Sequence, residues 1–226
     1  MLKEDIMKFL KDNQDEKLMD FYNKTYEKLK DLNRKIDELT LLLGFIVLLY
    51  FIVSKTSVSS FSVGPVTISD ITIITKLLPV IFGILLLDLA ITSGHKAELL
   101  TTVKFTFLSL YKQDVDPKDL EEGKLNVFTR VILPFSYSSE LLKFSSGKFS
   151  FVSSCLGTIL FLPLLSFILL PFYFEYYMLR EIYHNYYSTT IGKISFYFSI
   201  WLMLTVIYYY INTTILAIRN QKAGKI

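Results

Sequence analysis

ITIITKLLPVIFGILLLDLAI, residues 71–91, is a run of 21 residues in which only Thr72, Thr75, Lys76 and Asp88 are polar. As a helix it covers ~31 Å, about the thickness of a bilayer's hydrocarbon core. Inside hydrocarbon each backbone N–H and C=O must find a partner within the protein, so a lone apolar segment of this length crosses as a helix. Three more apolar stretches lie at Leu39 to Val53, Phe151 to Phe174 and Ile194 to Ile218. The sequence therefore predicts an all-α membrane protein with four transmembrane helices. N-terminal and middle cytoplasmic helices and a small extracytoplasmic hairpin complete the expected fold.

Composition agrees with that frame. Hydrophobic residues make up 52% of 226 positions, too apolar for an ordinary soluble domain, while 20% charge is too much for the spans themselves. The charge must be segregated, and it is. Lys and Arg number nine in residues 1–38, eight in 93–150 and three in 219–226, which is 20 of the 24 in the chain. The other two connections hold only Lys55, Arg180 and Lys193. This bias predicts the inner (plasma) membrane, multi-pass, with both termini cytoplasmic. The expected segments are thus 1–38 cytoplasmic, 39–92 two spans and an outer loop, 93–150 cytoplasmic, 151–218 two spans with an outer aromatic loop, and a 219–226 tail.

The net charge of +3 arises from nearly balanced acids and bases and predicts no direct nucleic-acid binding. About ten acidic and nine basic residues precede the first span, so it reads as a retained anchor rather than a cleaved signal. Cys155 is the only cysteine and reads as a small apolar packing residue.

Along the chain, Leu2, Ile6, Phe9 and Leu10 share one face of a short amphipathic helix, and Asn13 with Glu16 resembles a capping box for the next. Leu18, Tyr22, Thr25, Leu29, Leu32, Ile36 and Leu39 then recur at alternating spacings of four and three. Such a heptad seam is either a coiled coil between copies or the buried face of a helix packed on its own chain. No proline interrupts the path from Asp15 to Phe45, so one helix is expected to run into the membrane. The first span alone covers only ~22 Å and must borrow length from Ser54 and a snorkelling Lys55. Phe61, Val63, Val66 and Ile68 alternate around Gly64 and Pro65, predicting a hairpin.

Lys76 and Asp88 are the sharpest intramembrane candidates, because a charge in hydrocarbon is expensive. If Asp70 marks the outer boundary, Lys76 lies ~9 Å in and Asp88 ~27 Å in, near the opposite surface, which makes both interfacial anchors. The alternative is an ion or proton path. The helix is expected to continue through 93–112, with Leu99, Val103 and Phe107 on its apolar face and His95 just beyond the membrane. DVDPKDLEEG, residues 114–123, fails the calcium-loop spacing and reads as a short helix opened by Asp116 and Pro117. An interfacial elbow is expected at Pro134.

In the third span Pro163 and Pro171 predict kinks, and Ser153 and Gly157 head a small-residue patch for close helix packing. FYFEYYMLREIYHNYY, residues 172–187, reads as an aromatic belt in an outer loop. Asn212 in the fourth span is expected either to bond a neighbouring helix or to line a polar path.

No zinc-binding cluster, phosphate loop or nucleophile elbow is present, so no metal, cofactor or catalytic residue is predicted, and the chain is not expected to be an enzyme. Arg180 and His184 resemble the Arg and His pair of HEPN-type RNases but stand one residue too close, on the side away from RNA. In gross architecture, four spans with a charged cytoplasmic face, the chain resembles membrane subunits of some bacterial antiphage systems, such as Kiwa, and membrane accessories of some CRISPR loci. Two functions follow as expectations. One is an inner-membrane subunit that anchors or senses and recruits a cytoplasmic protein through Leu18, Tyr22, Leu29, Leu32, Ile36, Leu99, Val103 and Phe107, possessing a homo-oligomeric form. The other is a homo-oligomeric pore built near Lys76, Asp88 and Asn212.

Overall fold

The computed structural model describes residues 8–9, 12–13, 15–55, 61–63, 66–68, 71–110 and 169–223. Helix α1 spans Asp15–Lys55 without a break and carries Asp15 and Glu16 in its first turn, where carboxylates complement the helix dipole. Asn13 does not open it as a capping box; its side-chain amide instead donates to Phe9 O and closes the preceding turn. The alternation of four and three that begins at Leu18 continues past Leu39 through Leu43, Ile46, Tyr50 and Val53. Every one of these residues is buried within the chain except Tyr22 and Leu32, which are half-buried. Thr25 is tolerated in the stripe because its hydroxyl bonds Phe21 O.

Strands β1, Phe61–Val63, and β2, Val66–Ile68, pair antiparallel, with Phe61 opposite Ile68 and Val63 opposite Val66. Helix α2 then runs from Ile71 to Leu110, so the second apolar stretch and the amphipathic segment after it are one helix. Helix α3 covers 169–181 and passes directly into a π-helical turn, Ile182–Tyr186. After a turn at 187–189, α4 runs over Thr190–Ala223. The connection expected over 175–193 as a loop is thus almost wholly helical. Three of these helices are long and apolar enough to cross a membrane, over Asp15–Val53, Thr72–Lys104 and Thr190–Ile215. Most of the stretch 151–174, with Ser153, Cys155, Gly157 and Pro163, lies outside the described residues, as do residues 114–123 and Pro134.

The chain divides into two compact units. The first comprises Met1–Lys35, Thr92–Phe161 and Thr213–Ile226. It contains 20 of the 24 Lys and Arg residues and 15 of the 21 Asp and Glu. Among the described residues, Leu18, Thr25, Leu29 and Asn33 of α1 and Thr92, Val103, Thr106 and Phe107 of α2 are its buried side chains, and the Tyr22 and Phe107 rings meet at 6.1 Å. Phe9 folds back onto Phe21 at 4.8 Å. The outward face of α1 carries pairs such as Lys24 with Asp20 at 2.7 Å and Arg34 with Asp31 at 3.2 Å. Pairs this exposed add little stability and leave a solvated, mixed-charge surface.

The second unit, Ile36–Ile91 with Leu162–Asn212, is an apolar bundle. Its core joins Leu43, Ile46 and Tyr50 of α1, Leu78, Phe82, Leu86 and Ala90 of α2, Phe174 and Met178 of α3, and Val206 of α4. Phe174 meets Tyr50 at 5.3 Å and Phe82 at 5.2 Å in edge-to-face geometry. Gly83 lets α4 come close, since a Cβ there would stand 3.1 Å from Leu202 Cδ1. The outer surface is equally apolar: Leu41, Phe45 and Leu48 on α1, and Ile194, Trp201 and Leu204 on α4, are all exposed. Faces of that extent need lipid rather than water as their solvent.

Candidate intramembrane polar site

Polar groups in the second unit gather where α2, α3 and α4 meet. Pro79, buried inside α2, has no N–H to give and its ring disturbs the turn before it. Ser195 of α4 donates its hydroxyl to Lys76 O, in the turn before that proline. Lys76 itself does not snorkel outward as the sequence predicts. It is buried, with its Nζ 5.2 Å from the centroid of the Tyr186 ring at the end of α3. A cation held on an aromatic face is stabilised where water is scarce.

The π turn and the sharp reversal after it position that ring. Thr189 N–H donates to Tyr186 O at 3.0 Å, and the Thr189 hydroxyl donates to the same carbonyl at 2.8 Å. Gly192 N–H in turn donates to Thr189 Oγ1 at 3.1 Å, which caps the start of α4. Tyr187 and Tyr197 hydroxyls lie 2.7 Å apart across the hairpin, and this bond raises the Tyr187 phenol above its ordinary pKa. Lys193 Nζ stands 5.7 Å from the centroid of the Tyr187 ring.

Two carboxylates on α3 were hidden in the aromatic belt. Tyr50 of α1 donates its hydroxyl to Glu181 Oε2, tying the seam of α1 to α3. Glu175 is fully buried, and neither of its side-chain oxygens has a hydrogen-bond partner. Ser199 Oγ on α4 is likewise buried and unpartnered.

The other candidates do not join this site. Asp88 is half-buried, and Asn212 is exposed on α4. His95 is exposed in the first unit, its Nδ1 3.9 Å from Glu98 Oε2, a pair that forms only when the imidazole is protonated. Leu99 is half-buried, while Val103 and Phe107 are buried in that unit, as are Leu18 and Leu29. Arg180 and His184 are both exposed. No group of three His, Cys, Asp or Glu residues that would hold a metal occurs among the described residues. Sequence reasoning missed Glu175 and Glu181 because it assigned 175–193 to a loop, and Tyr50 because its partner Glu181 lies there. The available signal was the spacing Phe174, Met178, Ile182, a helical face continuing through the belt.

Comparison with family models, curated proteins and solved structures finds no match.

Proposed function

We propose that the chain is a four-span inner-membrane subunit, both termini cytoplasmic, that anchors a charged helical unit and uses it to recruit a cytoplasmic protein. The observation that carries this reading is the composition of the first unit, which gathers the N-terminal arm, the far end of α2 and the C-terminal segment together with 20 of the 24 basic residues. The bundle's polar groups, by contrast, are few.

A fourth crossing rests on the apolar stretch Phe151 to Phe174, which holds no charged residue and is long enough as a helix to cross hydrocarbon.

The seam of α1 is turned into the chain itself, which leaves recruitment to the solvated side. An open cleft of about 600 Å³ there is lined by Phe9, Asn13, Glu16, Lys17, Asp20, Phe21 and Lys24. Its mixture of an exposed and a half-buried aromatic ring with both signs of charge suits a peptide segment of a protein partner. Self-association and an antiphage setting, which the architecture suggests, belong to the same proposal.

The alternative function, a homo-oligomeric pore, separates from this one by experiment. Deleting residues 2–14 is expected to abolish co-purification of the partner from native membranes while leaving insertion intact, because insertion depends on the spans and their basic flanks. Liposomes containing the purified chain alone are expected to show no ion flux above empty ones. Flux that persists in the deletion and is lost in Lys76→Met or Asn212→Leu contradicts recruitment and establishes the pore.

A further inference from the structure

A carboxyl group fully enclosed by a packed apolar bundle cannot stay charged without a partner, since the cost of burying an unpaired ion exceeds that of binding a proton. Glu175 is such a group: no part of it reaches solvent and both oxygens are unpartnered. We propose that Glu175 is a proton-binding site of the membrane bundle, carried as the neutral acid while the four helices are packed and ionised only when they open to water. This goes beyond the anchoring role and stands whether or not a partner is recruited.

The neighbouring elements offer it no fixed counter-charge. Among the described residues, the other titratable side chains wholly or partly buried in this unit are Asp37 and Tyr50 on α1, Lys76 and Asp88 on α2, Glu181 on α3, Tyr186 and Tyr187 at the π turn and just after it, and Tyr209 on α4. The one cation among them, Lys76, sits over Tyr186 at the π turn, three helical turns along α3 from Glu175. The Tyr50 hydroxyl of α1 donates to Glu181. A metal ion in place of the proton would need several oxygen ligands, and the described residues gather no such set.

A proton that binds only the packed form is a ligand of that form, so it stabilises the bundle at low pH, and that contribution falls as the pH rises above the ordinary carboxyl range, where the opened chain gives the proton up. The proposal is tested on the full chain in native membranes with dicyclohexylcarbodiimide, an apolar reagent to which a protonated carboxyl adds, rearranging to an N-acylurea that keeps all atoms of both. Mass spectrometry should find the adduct at Glu175, with a water-soluble carbodiimide giving none there. In detergent, Glu175→Gln should melt no lower than the unmodified chain at neutral pH and lose part of the fall in melting midpoint that the unmodified chain shows as the pH rises from acid to alkaline. Labelling of exposed Glu38 without Glu175 would overturn the proposal. So would a Gln variant that melts as low as Glu175→Lys, or one whose pH dependence is unchanged, because either result means that the group is held charged.

Discussion

Replacing Leu29 and Leu32 together with Asp is expected to unfold the first unit. Leu29 is wholly enclosed and Leu32 half-buried on the seam of α1. Losing a buried leucine costs ~2–5 kcal/mol, and the carboxylate put in its place adds a desolvation penalty with no partner to offset it. That total rivals the 5–15 kcal/mol by which whole domains are stable (about, for a typical domain). Limited proteolysis of purified protein should then cut within 15–35 and 92–110, and the particle should elute early or aggregate. Lys28→Gln with Lys35→Gln, on the exposed face, should change stability by no more than ~0.5 kcal/mol. An Asp pair that leaves protease resistance and elution unchanged would mean that the seam is not the core of this unit.

Gly192→Ala is expected to break the α3–α4 hairpin. An added Cβ would sit 2.1 Å from Tyr186 O and 2.8 Å from Tyr186 C, both backbone atoms that no side-chain rotation can move. The turn must open, and with it go the Thr189 cap and the placement of the Tyr186 ring over Lys76. The loss should reach ~3 kcal/mol, the upper end for overpacking. Gly44→Ala is the matched control. Nothing lies within 4 Å of its Cβ position, so the same methyl should be neutral or stabilise α1 by ~0.5–1 kcal/mol. Thermal melting of the two variants in one detergent checks the contrast, and equal midpoints would contradict the geometry at the turn.

The parts of this architecture that depend on local periodicity were legible in the sequence. The 21-residue run at 71–91 announced a membrane helix, and the four-three alternation from Leu18 announced which face of α1 is buried. Alternation of Phe61, Val63, Val66 and Ile68 about Gly64 and Pro65 marked the hairpin that the strands form. What could not be read are features made by partners far apart in the chain. Ser195 is 119 positions from Lys76, and nothing in ISF or TKL says that a hydroxyl of one bonds a backbone carbonyl of the other. Tyr50 and Glu181 are 131 positions apart. Lys76 looked free to snorkel because depth was counted along α2 alone, whereas the aromatic ring that holds it belongs to α3. Glu175 was masked by composition: six aromatic residues among Phe172 to Tyr183 read as a headgroup belt, and the helical face through Phe174, Met178 and Ile182 was lost among them.

The measurement that bears most directly on the central claim is the sidedness of the charged segments in intact cells. In a Cys155→Ser background, single cysteines at Lys8, Ser138 and Lys222 should resist a membrane-impermeant thiol reagent until the cells are opened. Cysteines at Ser59 and at Asn185, which is exposed just before the α3–α4 turn, should react at once. Rapid labelling at Lys222 or Lys8 with protection at Ser59 would invert the orientation, place the charged unit outside the cytoplasm and contradict its role in recruiting a cytoplasmic partner.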